Sequence, residues 1–276
     1  MTDFGLKVRM AIVGVILFAF YLLAASVIAA YFGLTGTGFL VVLAAGIIVL
    51  PAGQYKIGKW MALRGAEDMP ETGRYQQVHQ MTESLSRDMG IDKPRLMVMD
   101  MGVPNAFATG RKGAGVVVVS TELMQLLDRD ELEGVIAHEL AHIKNRDTIT
   151  MVIGQSIGMI VSYAVFFIVR DSGEGIGNFV LAYVASIFAQ MLTMIFVMAI
   201  SRYREYVADD DARDAIGSGD PLARALEKIS SGAEGRESKV EDSVNAMCIF
   251  NADKSLLAQL FSTHPPTEKR IQKLRS

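Results

Sequence analysis

Three stretches of the chain carry no Asp, Glu, Lys or Arg: Met10 to Tyr55, Thr148 to Val169 and Ile176 to Ile200. Together they hold 93 of the 276 residues and none of the 57 charges. A bilayer core is roughly 30 Å thick and a helix rises about 1.5 Å per residue, so about 20 apolar residues cross it. The last two stretches each exceed that length, and Arg170 to Gly175 (RDSGEG) joins them as a tight transmembrane hairpin. The first stretch has room for two crossings: Met10 to Gly33, then a small-residue break at Leu34 to Gly38 (LTGTG), then Phe39 to Leu50 with its flanks to Tyr55. Lys7 and Arg9 ahead of an apolar run also fit a signal peptide, but the run is longer than the roughly 7–15 residues of such a segment.

The other 183 residues are about 31% charged, above the roughly 25% of a typical globular domain. A well-solvated domain therefore shares the chain with the spans. A net charge of −3 excludes a basic nucleic-acid binder, and a single cysteine, Cys248, excludes an internal disulfide, in keeping with a reducing compartment for the soluble part. Lys7, Arg9, Lys56, Lys59, Arg64, Lys144, Arg146, Arg202 and Arg204 flank the spans on one side and Arg170 alone on the other. Basic residues stay on the cytoplasmic side, which places both termini there. The expected layout is two spans in 1–55, a cytoplasmic part in 56–147, the hairpin in 148–200 and a second cytoplasmic part in 201–276.

In the soluble parts, Tyr75 to Met89 reads as an amphipathic helix ending near Gly90, and Arg95 to Asp100 (RLMVMD) as a strand. Asn105 to Thr109 (NAFAT) and Gly115 to Ser120 (GVVVVS) read as two strands joined by the turn around Gly110 to Gly113. Ser120 or Thr121 can cap a helix through Leu127, and Asp128 a second one starting at Arg129. Gly217 to Pro221 and Ser230 to Ser238 are the clearest loops, Asp220 and Pro221 opening another helix. The fold class expected is α+β, mainly helical, with a small β-sheet.

The second capped helix carries His138-Glu139-Leu140-Ala141-His142. At 3.6 residues per turn the two imidazoles project from one face, one turn apart, where they can bind Zn²⁺, while Glu139 is offset to reach the attacking water. A catalytic zinc uses a third protein ligand and keeps an open position. No third histidine lies nearby, the next along the chain being His264, so an acid is the better candidate, and Glu205 and Asp209 follow the last span closely. His142 lies about 9 Å before its span and Glu205 about 7.5 Å after its own, so both fall at similar height. The i, i+4 spacing of Glu205 and Asp209 offers one carboxylate as ligand and the other to accept the outer N–H of a ligating imidazole.

HELAH at His138 to His142, SRYREYVAD at Ser201 to Asp209, NAFATG at Asn105 to Gly110, and STHPP at Ser262 to Pro266 with Arg270 beyond it stand in one order along the chain. In these motifs and its four spans the chain resembles the HtpX-type membrane zinc metalloproteases, relatives of the CAAX prenyl proteases, over essentially its whole length. The resemblance implies one zinc per chain in a zincin-like domain, with Glu205 as third ligand and Asp209 supporting it from behind, on His138. It also implies an ATP-independent endoprotease of the bacterial cytoplasmic (inner) membrane that cuts damaged or unfolded membrane proteins in stress response and quality control. Neither nucleic acid nor nucleotide is an expected partner.

Asn105, Ala106, Phe107 and Ala108 alternate as an edge strand would, and an unpaired edge can bind an extended substrate by strand addition. His264, set beside Pro265 and Pro266, can donate to an oxyanion. Arg270 either assists with substrate or solvates the terminal helix. A non-catalytic zinc-binding membrane adaptor is the alternative, but a structural zinc is normally closed by four protein ligands. A transporter places ionisable groups within its spans, and these spans have none.

Overall fold

The computed structural model describes residues 4–233 and 265–276. Among them the protein is mainly helical, with one four-stranded sheet. Four helices are long and apolar enough to cross a membrane: Ala11–Tyr31, Thr37–Ala62, Asp147–Asp171 and Gly175–Ile216. The chain divides into two compact units.

One unit takes the chain up to Ile57 and Ile149–Ile200. Helix α1 is Phe4–Tyr31, and α2 (Thr37–Ala44) continues through a π-helical stretch, Ala45–Val49, into α3, Leu50–Ala62. The widened turns fall where the ring of Pro51 would otherwise clash with the Ile47 carbonyl, which is how this proline is carried inside a helix. Small residues let these helices approach: a Cβ on Gly46 would fall 2.7 Å from Ile160 Cδ1, and one on Gly154 3.0 Å from Val197 Cγ2. Ser162 Oγ donates to the Ser186 carbonyl at 3.0 Å. Phe18, Leu23, Val49, Ile176 and Phe188 point outward and are exposed, an apolar exterior suited to lipid rather than to water. Helix α7 is Asp147–Asp171 and α8 is Gly175–Ile216, unbroken over 42 residues.

The other unit takes Gly58–Thr148 and Ser201–Ser276. Strands β1 (Glu67–Asp68), β2 (Arg95–Met99), β3 (Ala106–Thr109) and β4 (Val116–Ser120) are ordered β1-β2-β4-β3. β2 runs parallel to β4, while β3 pairs antiparallel with it and forms one edge. Every residue of β4 is buried, because the sheet is covered on both faces. Val117 and Val119 join the main core with Leu85, Ile136, Leu140 and Leu226; Val116 and Val118 pack with Met97, Met99 and Phe107 on the opposite face.

The helices of this unit are α4 (Gln76–Asp88), α5 (Thr121–Leu126), α6 (Arg129–Asn145), α9 (Asp220–Ala233) and α10 (Thr267–Leu274), joined by the end of α8. Ser120 Oγ caps α5 by accepting from Leu123 N at 3.0 Å. Asp128 and Glu131 form a reciprocal capping box at the start of α6. Gly134 lets α9 lie directly on α6: a Cβ there would stand 2.8 Å from Leu222 N. Residues 230–233, expected in a loop, continue α9 instead, since Ile229 anchors that turn in the core.

Candidate metal centre

Helix α6 carries His138, Glu139 and His142; the first two are 1% and 2% exposed. Glu205 and Asp209 lie on α8, also buried. His138 Nε2 stands 3.1 Å from His142 Nε2, 3.5 Å separates it from Glu205 Oε2, and Glu205 Oε1 is 3.5 Å from His142 Nε2. These residues form a possible metal site among the described residues. Ligands about 2.0–2.1 Å from a tetrahedral zinc are separated by roughly 3.3–3.4 Å, so the triangle has the right size.

Each imidazole is held from behind by its own carboxylate. Asp209 Oδ1 stands 3.0 Å from His138 Nδ1, and Asp147 Oδ2 stands 2.6 Å from His142 Nδ1. An Nδ1–H donated to a carboxylate leaves Nε2 to face the site, the arrangement that metal-ligating histidines adopt. Two imidazoles and one carboxylate at these spacings fit a divalent cation such as zinc.

Burial and the Arg270 charge push the His138 imidazole down, but hydrogen bonds to Asp209 and Glu205 and the charge of Asp209 prevail and raise it to about 9. His142 is lowered, by burial first, with the Glu205 carboxylate opposing and His138 adding to the effect. Without a cation, the Asp209 and Glu205 carboxylates thus favour a proton on His138. The carboxylates that hold this proton favour a dication in its place.

Arg270, on α10, is 1% exposed. Its Nε donates to Asp209 Oδ2 at 2.9 Å and its Nη2 to Asp209 Oδ1 at 2.7 Å, while Nη1 stands 3.2 Å from Glu205 Oε2. This burial excludes a solvating role on the terminal helix. Burial would raise the Asp209 carboxyl, but Arg270 and His138 hold it down at about 2.

Asn105, Ala106, Phe107 and Thr109 are buried and Ala108 half-buried, on an edge strand that packs against α6. His264 lies outside the described residues. Two residues of this site escape sequence reasoning. Asp147 lies just past Arg146, whose left-handed backbone (φ 57°) ends α6 and turns the chain back toward His142. Arg204 counts as a membrane-flanking charge in the sequence, yet the fold buries it against Asp147. An acid five residues after the second histidine is the only signal either offers.

The profile of Peptidase family M48 matches residues 73–276. A protein described as "Protease HtpX homolog" from Halobacterium salinarum is 53% identical, the alignment covering 97% of this chain and 100% of the relative. A protein of the same description from Pyrococcus furiosus is 43% identical over 76% of this chain and 74% of its own length. Among solved structures, the crystal structure of Ste24p from S. mikatae superposes with a TM-score of 0.59 at 19% identity, covering 97% of this chain. The chain spans 63% of that longer protein, and the likeness is one of fold.

Proposed function

The chain belongs to peptidase family M48, with HtpX homologues among its relatives, and from that premise we propose that it is a membrane-embedded zinc-dependent endopeptidase. The observation that carries the reading is the triangle of His138, His142 and Glu205 on two helices, each histidine backed by its own carboxylate.

His138, His142 and Glu205 would hold the cation. When bound, it supplies Lewis-acid polarisation of the scissile carbonyl and makes water acidic enough to deprotonate near neutrality. Glu139, one residue from His138 on α6, takes the proton of the attacking water and passes it to the leaving amine. Asp209 and Asp147 keep the imidazoles in the ligating tautomer. His264 donates to the developing oxyanion, and Arg270 locks the carboxylates in place.

The substrate backbone adds to the edge of β3. Ser120 N donates to Asn105 O at 2.8 Å, which makes 105 and 120 a hydrogen-bonded pair. By the alternation of an antiparallel ladder, Phe107 and Thr109 also turn inward to β4, and Ala106 and Ala108 turn outward. Ala106 N is used locally by Asn105 Oδ1. The Ala106 carbonyl and both backbone groups of Ala108 therefore face an incoming strand.

The zincin-like unit works on the cytoplasmic side of a cytoplasmic membrane, with both termini inside, and cuts damaged or unfolded membrane proteins in quality control. The excess of basic flanks supports the orientation. Relatives stand on both sides of a bacterial assignment: the Halobacterium salinarum protein is archaeal, while those from Salinibacter ruber and Aquifex aeolicus are bacterial. The test is zinc-dependent cleavage of an unfolded polypeptide by the purified, detergent-solubilised protein beside its Glu139→Gln form. Equal activity of the two would remove the mechanism.

A further inference from the structure

We propose that Arg204 and Asp147 form a positioning clasp that fixes His142 and Glu205 to each other. The inference rests on the metal-centre reading above and adds Arg204 to it, through the Asp147 carboxylate already placed behind His142. Asp147 is 7% exposed and Arg204 8%. One Asp147 oxygen, Oδ2, accepts from His142 Nδ1 at 2.6 Å, and the other, Oδ1, pairs with Arg204 Nη2. The same Arg204 Nη2 donates to the Asn145 carbonyl at 2.7 Å, near the C-terminus of α6. Because Arg204 is covalently next to Glu205, a single charged side chain sets the spacing between the third ligand and the second histidine.

Three features favour positioning over a mere tie between helices. A tie needs only the Asn145 carbonyl, yet the guanidinium also engages the carboxylate that orients His142. Arg146 adopts a left-handed conformation, the sole non-glycine to do so among the described residues; strain of this kind gathers at functional sites. Arg204 is as buried as a core side chain, so this charge has been taken out of water to reach one carboxylate and one carbonyl.

The test uses the full-length detergent-solubilised protein and zinc itself, with affinity read by chelator competition. Outer partners of metal-ligating histidines are worth roughly 10–100-fold in metal affinity. Asp147→Asn and Arg204→Met are each expected to lose that much, and the double variant no more than the worse single one. Arg204→Lys, which keeps the charge but not the fork, should lie between. Lys144→Met removes a neighbouring ion pair to Asp211 that does not touch His142, and should leave zinc affinity within about twofold. A readout free of metal is the imidazole ¹⁵N spectrum of histidine-labelled protein, where only four histidines contribute: in Asp147→Asn the His142 signals should lose their Nδ1–H signature. Failure of the unmodified protein to bind zinc would overturn the metal-centre reading and the clasp together. Normal zinc binding with variants indistinguishable from it, additive losses in the double variant, or an equal loss in Lys144→Met would overturn the clasp alone. Should Arg204→Met not fold, Arg204→Lys and Asp147→Asn decide the matter by the same criteria.

Discussion

Arg270 meets Asp209 as a two-pronged ion pair, Nε to Oδ2 at 2.9 Å and Nη2 to Oδ1 at 2.7 Å, with both residues 1% exposed. The contact joins α10, the last helix of the chain, to the stretch of α8 that carries Glu205. Leaving one member of a buried pair alone strands a charge, at a cost of about 3–5 kcal/mol. Asp209→Ala leaves Arg270 only Glu205 as counter-charge, so it should lower the unfolding free energy by up to about that amount, and adding Arg270→Met should recover part of it. Urea melts of the solubilised protein distinguish the two.

Chemistry and metal binding should separate by residue. Glu139→Gln removes the proton acceptor without removing a ligand, so zinc content stays at one per chain while hydrolysis falls by at least about 10²–10⁴-fold. Glu205→Ala removes a ligand, and the metal is lost with the activity. Metal analysis alongside a cleavage assay reads both outcomes on the same samples.

The proton on His138 gives metal uptake a defined pH window. A folded-state value of about 9, raised from 6.5, stabilises the metal-free fold below about pH 6.5, and this contribution fades as pH rises through 9. Zinc must displace that proton, so its affinity should climb by up to about tenfold per pH unit through the same interval, with a proton released on binding. Asp209, depressed to about 2, contributes above pH 3.8 and is lost only as pH falls through 2. Acid loss of zinc above pH 4 should accordingly follow the imidazoles, as titration calorimetry in buffers of different ionisation enthalpy would register.

The cap of α6 should be separable from the site it introduces. Glu131 is fully buried and bonds back to Asp128 N at 2.9 Å, and Lys228 bridges both acids. Asp128→Ala should lower stability by about 1 kcal/mol while leaving zinc affinity unchanged. A loss of zinc at equal fractions folded would contradict that separation.

What the sequence disclosed and what it hid follow the range of each interaction. The four apolar helices are legible because exclusion of charge from lipid acts on every residue of a span. The α6 site is legible because Asp128 caps locally and His138 and His142 sit one turn apart. The second apolar run reads only as far as Tyr55, but a π-helical stretch carries the helix past Pro51 to Ala62. β1, two charged residues long, has no apolar alternation to mark it. Asp147 and Arg204 are hidden for a deeper reason: a left-handed turn and a contact across 57 positions bring them together, and composition beside a span makes a buried arginine look like a solvated one.

The outward turn of Ala108 offers a test of substrate binding that the fold should tolerate. Its N–H points away from β4, so proline there removes no ladder bond, and edge strands accept proline on their open side. Ala108→Pro should therefore keep its zinc and most of its stability. The same change takes away the one outward N–H that β3 can give a substrate strand between Ala106 and Ala108, since Ala106 N is engaged by Asn105 Oδ1. Loss of one such bond, about 1 kcal/mol, lowers kcat/KM roughly five- to tenfold. Phe107→Pro is the counterpart: its N–H belongs to the β3–β4 ladder, and that variant should lose stability and activity together. Similar cleavage kinetics for Ala108→Pro and the unmodified protein would mean that substrate does not pair with this edge.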